Sequence, residues 1–333
     1  MNAPTRSILS ICAGIAGVGI LCLGLCFGLG KPAFAQSYPA KPIRMIVPYP
    51  AGGGTDIAAR WICQKLSEHL GQQVFVDNRA GANGNLGTNN IAKAAADGYV
   101  IGMATPGPVT VGPSLYRDLP YDPQRDLEPI ILANESPIVL VVKPSLPARS
   151  LADLIALART KPARLTAALV STGSVPHLLT EMLKSAAGMD VLDVPYKGGG
   201  PAAMDVISGQ VDMLFSVVPL VLPYIGSGAL RAIAIASDAR SALLPDVPTV
   251  KEAGFANVTG SAWNGIVAPA GIPQDVVLKL NAEIANVLAS ADTKDRFTGM
   301  EAVGGSPRSF AEFLQGETRK WAQVVKAAGM QAQ

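Results

Sequence analysis

The sequence predicts an α/β fold in two successive units, each built from alternating strands and helices. Short apolar runs bounded by Gly or Pro alternate with segments whose apolar residues recur at helical spacing. The connections between them are short, which is typical of parallel strands joined by right-handed crossovers. The alternation restarts midway along the chain, and 333 residues are enough for two domains.

The first unit opens with Ile43–Val47, a continuous apolar run closed by Pro48 that suits a strand buried on both faces. A helix is predicted from Thr55, because the apolar residues that follow recur at helical spacing until Gly71 can end it. The other elements predicted in this unit are a strand over 74–76, a helix over 86–96 and a strand over 99–103.

The second unit follows a buried strand predicted over 138–142. Ser150 and Asp153 form a capping box that begins a helix over 151–159. Further strands are predicted over 165–169, 191–194, 213–215, 231–235 and 265–268. Further helices are predicted over 176–187, 200–208 and 274–289, and a last helix begins at Ser306-Pro307.

Residues 1–35 have the pattern of an export signal. Arg6 provides the positive charge, residues 8–30 are uncharged and apolar, and Ala33-Phe34-Ala35 is a small-x-small cleavage site. The mature chain is therefore expected to begin near Gln36 and to work outside the cytoplasm. Because the apolar run is about as long as a membrane span, an uncleaved anchor is the alternative.

The composition of the remaining chain excludes several classes of protein. Three of the four cysteines lie in the signal, so Cys63 has no partner for an internal disulfide and stability must come from core burial. The 27 basic residues include Arg6 and Lys31, which leaves the mature chain with as many basic as acidic side chains. A net charge near zero without basic runs argues against a nucleic-acid or anionic membrane partner.

The strongest local signal is the Gly-rich turn over 50–54 between the first strand and the first helix. Such a turn directs several backbone N–H groups and the positive end of the helix dipole at one point, which suits an anion. The turn lacks Gly-Lys-Ser/Thr and does not fit G-x-G-x-x-G, so it is not a common nucleotide site. A tight turn that needs glycine only for its backbone angles remains the alternative.

Two more turns of the strand-turn-helix type offer groups that could bind a carboxylate. They cover residues 171–177 and 195–201, and the first of them carries hydroxyl groups and His177. In open α/β sheets, ligands bind beyond the carboxyl ends of the strands, where all three turns would lie.

The residues offer little for catalysis or metal binding. The mature chain contains only His69 and His177, so a histidine metal cluster is excluded. Ser174 lies three residues before His177, which permits a nucleophile and base, but no G-x-S-x-G elbow surrounds it. The alternative is a histidine that braces the loop. Cys63 lies beside an apolar helical stripe and is expected in the core.

Eight ordered motifs, distributed over essentially the whole mature chain, resemble a known family. The motifs lie at residues 47–56, 77–84, 113–116, 119–123, 194–198, 209–212, 244–249 and 268–273. Together they are similar to the Bug-type periplasmic solute-binding proteins of tripartite tricarboxylate transporters.

The resemblance implies a two-domain, type II-like periplasmic-binding-protein fold, a "Venus flytrap" with a cleft between domains joined by two crossing strands. Domain one would comprise 36–138 and 260–333 and domain two 139–259, with crossings near 137–142 and 259–265. It implies a carrier without catalytic residues, cofactor or metal that captures a small organic acid and delivers it to a membrane permease. We expect a periplasmic monomer.

The resemblance also implies which residues bind the ligand, with one turn in each domain holding it. In sequence order they are Ala51, Gly52, Gly53, Gly54, Thr55, Asp56, Thr105, Pro106, Thr172, Gly173, Ser174, His177, Lys197, Gly198 and Ser216. Closure around the ligand would be a hinge movement, because the ligand touches both domains only in the closed form.

Departures from the family pattern predict the kind of ligand. The segment over 168–174 lacks two of the glycines common in the family, Pro108-Val109 replaces a polar pair, and Ser216-Val217 replaces Asp-Asn. These changes make the expected cleft more apolar, so a carboxylate with an apolar or aromatic body is predicted. Two alternatives remain: a sensor that presents its ligand to a receptor kinase, and an exported hydrolase that uses Ser174 and His177.

Overall fold

The computed structural model describes residues 38–160, 165–297 and 299–330. The predicted export signal and its cleavage site between Ala35 and Gln36 lie outside the described residues. Within the described ranges, no helix is both long and apolar enough to cross a membrane.

Ten strands of the described chain form one mixed sheet. The strands are β1 Ile43–Val47, β2 Val74–Asn78, β3 Val100–Ala104, β4 Leu127–Val142, β5 Leu165–Val170, β6 Val191–Tyr196, β7 Met213–Val217, β8 Arg231–Ile235, β9 Ser261–Pro269 and β10 Glu301–Gly304. Neighbouring strands follow the order β2-β1-β3-β9-β4-β7-β5-β6, and β8 and β10 also pair with β4.

Helices follow most of the strands. The α-helices are α1 Gly54–Leu70, α2 Asn85–Ala92, α3 Gly112–Leu115, α4 Pro123–Asp126, α5 Leu151–Thr160, α6 Val175–Ala187, α7 Gly199–Ile207, α8 Val218–Gly226, α9 Gln274–Ala289, α10 Ala291–Arg296 and α11 Pro307–Ala327. Ala82–Gly84 is a 3₁₀ turn and Gly107–Val111 a π-helical turn. The predicted capping box of α5 is confirmed, because Ser150 Oγ accepts the Asp153 N–H while Asp153 accepts the Ser150 N–H.

The predicted strand over 138–142 is only the last third of β4, which spans 16 residues. The earlier part was missed because Pro129, Asn134 and Pro137 interrupt its apolar character. The structure accommodates it with two irregularities in its pairing with β9, between Pro129 and Ile131 and between Leu132 and Asn134.

The short alternation of strands and helices predicted a parallel sheet, but the sheet is mixed. The pairs β1–β2, β1–β3, β5–β6 and β5–β7 are parallel, whereas β4 and β9 pair antiparallel with all their neighbours. The reason is that the chain passes through β4 in one direction and returns through β9 in the other. The sequence pattern also missed β10, α8 and the π-helical turn, since β10 is short and the other two contain proline.

β4 changes partners midway and so divides the sheet into two halves. Pro137 still pairs with Ser261 of β9, whereas Ile138 already pairs with Val217 of β7. We call β1–β3, β9, β10 and β4 up to Pro137 the first half-sheet, and β5–β8 and β4 from Ile138 the second half-sheet. The change lies next to the predicted boundary at 138/139, and the exact domain limits stay a prediction.

Helix α11 packs against both half-sheets. Phe310 near its beginning is 1% exposed and packs with Trp263 of β9 in the core of the first half-sheet. Trp321 and Val325 near its end lie in the core of the second half-sheet. The helix therefore spans the same boundary that β4 and β9 cross.

Cys63 of α1 is a core residue, as its position beside the apolar stripe predicts. It is 3% exposed, and burial raises the pKa of its thiol to about 12. A thiol that stays protonated at neutral pH is not a nucleophile.

Gly87 allows α2 to pack directly on the segment that leads into the Gly-rich turn. A Cβ at this position would lie 2.7 Å from both the Pro48 Cα and the Arg79 carbonyl oxygen, which are backbone atoms and cannot rotate away. We expect Gly87→Ala to lower the free energy of unfolding by about 1–3 kcal/mol through overpacking. Urea or thermal unfolding measures this.

Gly316 of α11 provides the matched control, because a Cβ there would meet no atom within 4 Å. Gly316→Ala should stabilise the protein by about 0.5–1 kcal/mol through helix propensity. Equal stability changes in the two variants would contradict the close approach at Gly87.

Candidate functional site

The Gly-rich turn lies at the carboxyl end of β1 and leads directly into α1. Ala51, Gly52, Gly53 and Gly54 are exposed, and a Cβ on any of the three glycines would meet no atom within 4 Å. Gly53 is the N-cap of α1 and supplies no capping side chain. The N–H groups of the first helical turn therefore point toward open space with the positive end of the helix dipole behind them.

Asp56 holds this turn in shape. Its Oδ2 accepts hydrogen bonds from the Gly52 N–H and the Arg60 Nε, both at 2.9 Å, and its Oδ1 accepts one from Asn78 Nδ2 at 2.9 Å. Burial opposes its ionisation, but the hydrogen bonds from Arg60, Gly52 and Asn78 outweigh burial and hold its pKa below the ordinary value. Asp56 was predicted to bind ligand; the structure instead engages both its oxygens inside the protein.

Thr55, the second residue of α1, connects the turn to the crossing strands. Its hydroxyl donates a hydrogen bond of 2.8 Å to Asn264 Oδ1 on β9. Asn264 Nδ2 in turn donates to Asn134 Oδ1 on β4 at 3.2 Å. Sequence reasoning missed both asparagines, because neither lies in a turn or beside another polar residue of the site.

Thr105 and Pro106 lie behind the turns and are buried. The Thr105 hydroxyl is 3.1 Å from the Tyr49 hydroxyl. Burial raises the pKa of Tyr49, so the phenol is neutral, and one of the two hydroxyls donates to the other. Thr105 is therefore bonded to the residue that precedes the first turn.

The second turn, residues 171–174, lies between β5 and α6. Gly173 has a φ of 78° and donates its N–H to His177 Nδ1 at 3.0 Å. Burial lowers the pKa of His177, which keeps the ring neutral so that Nδ1 can accept this bond. The histidine braces the loop, as one of the two interpretations of the sequence predicts.

Ser174 is the N-cap of α6 and is occupied by backbone partners. Its hydroxyl donates to the Val170 carbonyl and accepts the His177 N–H at 3.3 Å. The hydroxyl proton of Ser174 is thus donated to a backbone carbonyl, and Nδ1 of His177 accepts a backbone N–H. This arrangement does not match the nucleophile and base that the hydrolase alternative needs.

A residue that sequence reasoning did not select contacts the second turn. Asn83, in the 3₁₀ turn after β2, donates its Nδ2 to the Thr172 carbonyl at 3.2 Å. Gly173 lies so close to Leu115 of α3 that a Cβ would be 2.4 Å from its Cδ2. Asn83 falls inside the motif over 77–84, and that motif was the only signal that could have indicated it.

The remaining predicted site residues are not joined to the two turns by any described hydrogen bond. Lys197 is exposed at the end of β6, the outermost strand of the second half-sheet. Gly198 is the N-cap of α7. Ser216 of β7 is 2% exposed, and its hydroxyl lies 3.5 Å from the Val217 carbonyl. In the described part of the chain, no group of three or more His, Cys, Asp or Glu residues could hold a metal ion.

A known receptor family matches most of the chain. The family model described as "Tripartite tricarboxylate transporter family receptor" matches residues 58–330. The chain belongs to this family. Its members are periplasmic solute-binding receptors, which confirms the Bug-type resemblance carried by the eight motifs.

Several relatives cover nearly the whole chain. Protein BugT of Bordetella pertussis (strain Tohama I) is 40% identical over 305 residues, which are 91% of this chain and 94% of BugT. Rpa4515 of R. palustris, solved with adipate, has a TM-score of 0.81 at 36% identity and covers 89% of this chain and 100% of its own. MatC of Rhodopseudomonas palustris, solved with malate, has a TM-score of 0.76 at 31% identity and covers 86% and 100%.

These solved receptors confirm the two-domain periplasmic-binding fold predicted from the sequence. Receptors of this family bind small carboxylates, as the adipate and malate structures illustrate.

Proposed function

We propose that this protein captures a small organic carboxylate between the turns over 51–55 and 172–177 and delivers it to a membrane permease. The uncapped, exposed N–H groups at the start of α1 carry the proposal. Each charge-assisted N–H bond to a carboxylate contributes about 1.5–3 kcal/mol, so three or four of them support micromolar affinity after the entropic costs of association.

The ligand we propose has an apolar or aromatic body. Leu169 and Val170, which lead into the second turn, and Val217 at the end of β7 are half-buried and supply no charged partner for a further polar group. The relative solved with adipate supports this, since adipate carries its two carboxylates on an apolar chain.

Calorimetric titration with adipate, terephthalate, benzoate, succinate, citrate and glutamate tests the ligand class. We expect the acids with an apolar body to bind at least about tenfold more tightly than citrate or glutamate, because burying a hydroxyl or ammonium group without a partner costs about 1–3 kcal/mol. Tight binding of citrate or glutamate alone would overturn the apolar ligand, and binding of no acid in the panel would overturn the carboxylate site.

Delivery to a permease is supported by the family, whose description is that of a transporter receptor. Cells without the protein should lose uptake of the labelled acid, and wild-type protein should restore it. Normal uptake combined with a lost transcriptional response to the acid would instead favour the sensor alternative.

A further inference from the structure

A chain of three polar side chains runs from the first turn into the strands that cross between the half-sheets. Thr55 donates to Asn264, and Asn264 donates to Asn134, at 2.8 and 3.2 Å. Asn134 and Asn264 face each other across β4 and β9 and are 0% and 7% exposed. Among the described residues, Asn134 Nδ2 has no hydrogen-bond partner.

The unpartnered amide makes a second hydrogen-bonding arrangement of these three side chains accessible. A buried N–H group without a partner is costly, more so than a carbonyl oxygen that lacks one. The carbonyl oxygen and NH₂ group of an asparagine occupy equivalent positions. Rotating each side-chain amide by 180° therefore exchanges donor and acceptor without moving the backbone. Asn134 Nδ2 then donates to Asn264 Oδ1, and Asn264 Nδ2 donates to Thr55 Oγ1.

The two arrangements differ in what Thr55 presents to the cleft. In the first, its proton is directed inward at Asn264, and only oxygen lone pairs face a ligand. In the second, the hydroxyl accepts from Asn264 and its proton is free to point outward. A carboxylate accepts hydrogen bonds and donates none, so it can bond to the Thr55 hydroxyl only in the second arrangement.

We propose that Asn134 and Asn264 are positioning residues that set the direction of the Thr55 hydroxyl. A carboxylate then binds to the reversed hydrogen-bond arrangement, in which Thr55 donates outward. The inference rests on the proposed carboxylate site at the first turn. It assigns a role in ligand selectivity to two residues that lie outside both turns.

A double-mutant cycle tests whether residue 134 acts on ligand binding through the Thr55 hydroxyl. Asn134→Asp supplies only acceptors at neutral pH, which fixes Asn264 Nδ2 toward residue 134 and directs the Thr55 proton inward. We expect Asn134→Asp to weaken adipate binding about tenfold, the loss of one charge-assisted hydrogen bond. Thr55→Val, which removes the hydroxyl, should cost about as much, and adding Asn134→Asp to it should cost nothing more.

The double-mutant cycle distinguishes an effect of the direction of the Thr55 hydroxyl from an effect of the charge added at residue 134. If the new carboxylate acted by repelling the ligand, Asn134→Asp would weaken adipate binding equally in the Thr55→Val background, and that outcome would overturn the inference. Titration with the neutral diamide adipamide adds a second readout, since an inward-directed hydroxyl can accept from its N–H groups. Asn134→Asp should therefore reduce the preference for adipate over adipamide.

Asn281→Asp is the matched control. Asn281 of α9 donates to the Ile130 and Gly305 carbonyls and lies outside the three-residue chain. The Asn281→Asp variant should leave the preference for adipate over adipamide unchanged.

Wild-type protein provides a measurement that needs no folded variant. The side-chain NH₂ resonances of Asn134 and Asn264 should shift when adipate is added, because their protons change partners, and unchanged resonances in the bound state would overturn the inference. If wild type binds none of the acids, the proposed function fails. If it binds adipate and the cycle shows no coupling, only this inference fails.

Discussion

We expect Gly53→Val to weaken carboxylate binding at least about 100-fold while the protein keeps its fold. Gly53 has a φ of −81°, which valine adopts without strain, and a Cβ there would meet no atom of the protein within 4 Å. The added side chain would instead occupy the space in front of the N–H groups of α1. Losing two charge-assisted hydrogen bonds at about 1.5–3 kcal/mol each accounts for this factor.

Calorimetric titration and thermal unfolding together measure the effect. Gly226→Val is the matched control, since Gly226 ends α8 and a Cβ there also meets no atom within 4 Å. The control should bind like wild type. If Gly53→Val is folded and binds with unchanged affinity, the first turn is not the carboxylate site.

We expect Asp56→Asn to destabilise the protein by about 1–3 kcal/mol and to weaken ligand binding at the same time. Asp56 is 2% exposed, and its two oxygens accept three hydrogen bonds that hold Gly52, Arg60 and Asn78 around the turn. An amide replaces one of these oxygens with a donor, so at least one buried donor loses its acceptor and faces another donor.

The stabilisation that Asp56 provides should depend on pH in one direction. The pKa of Asp56 in the folded protein lies below its ordinary value, so its stabilisation is complete above about pH 4 and is lost as the pH falls through the lowered pKa. The difference in unfolding free energy between wild type and Asp56→Asn should therefore shrink in acid. A difference that stays constant down to acid unfolding would contradict the carboxylate as its source.

Asp153→Asn controls for the loss of a carboxylate at a helix N-terminus. Asp153 of α5 accepts the N–H groups of Arg149 and Ser150, outside both turns. This variant should lose stability and keep the affinity of wild type for adipate.

The elements and turns that depend on neighbouring residues were predictable from the sequence. Strand β1, the Gly-rich turn and helix α1 follow one another within 30 residues, and each is specified by local periodicity, glycine and a helix stop at Gly71. The same holds for the brace of Gly173 by His177, which are four residues apart. The ordered motifs were sufficient to identify the family.

The sequence did not indicate contacts between residues that are distant in the chain. Asp56 stays a predicted ligand contact, and the sequence did not indicate that Asn78, 22 residues away, would occupy one of its oxygens. Asn83 and Thr172 are 89 residues apart, and their hydrogen bond joins the 3₁₀ turn after β2 to the second turn. β4 was predicted too short, because its polar residues and prolines are tolerated only by irregular pairing with β9.

Local patterns of apolar spacing and glycine were thus enough to predict most helices and strands and the Gly-rich turn, and the export signal stays a prediction. Which polar side chains complete that turn depended on the tertiary structure. Thr55 and Asn264 lie 209 residues apart, and Asn264 and Asn134 lie 130 apart, so no periodicity in the sequence relates them. A hydrogen bond requires atoms within about 3 Å of each other, and for residues so far apart only the pairing of β4 with β9 brings them that close.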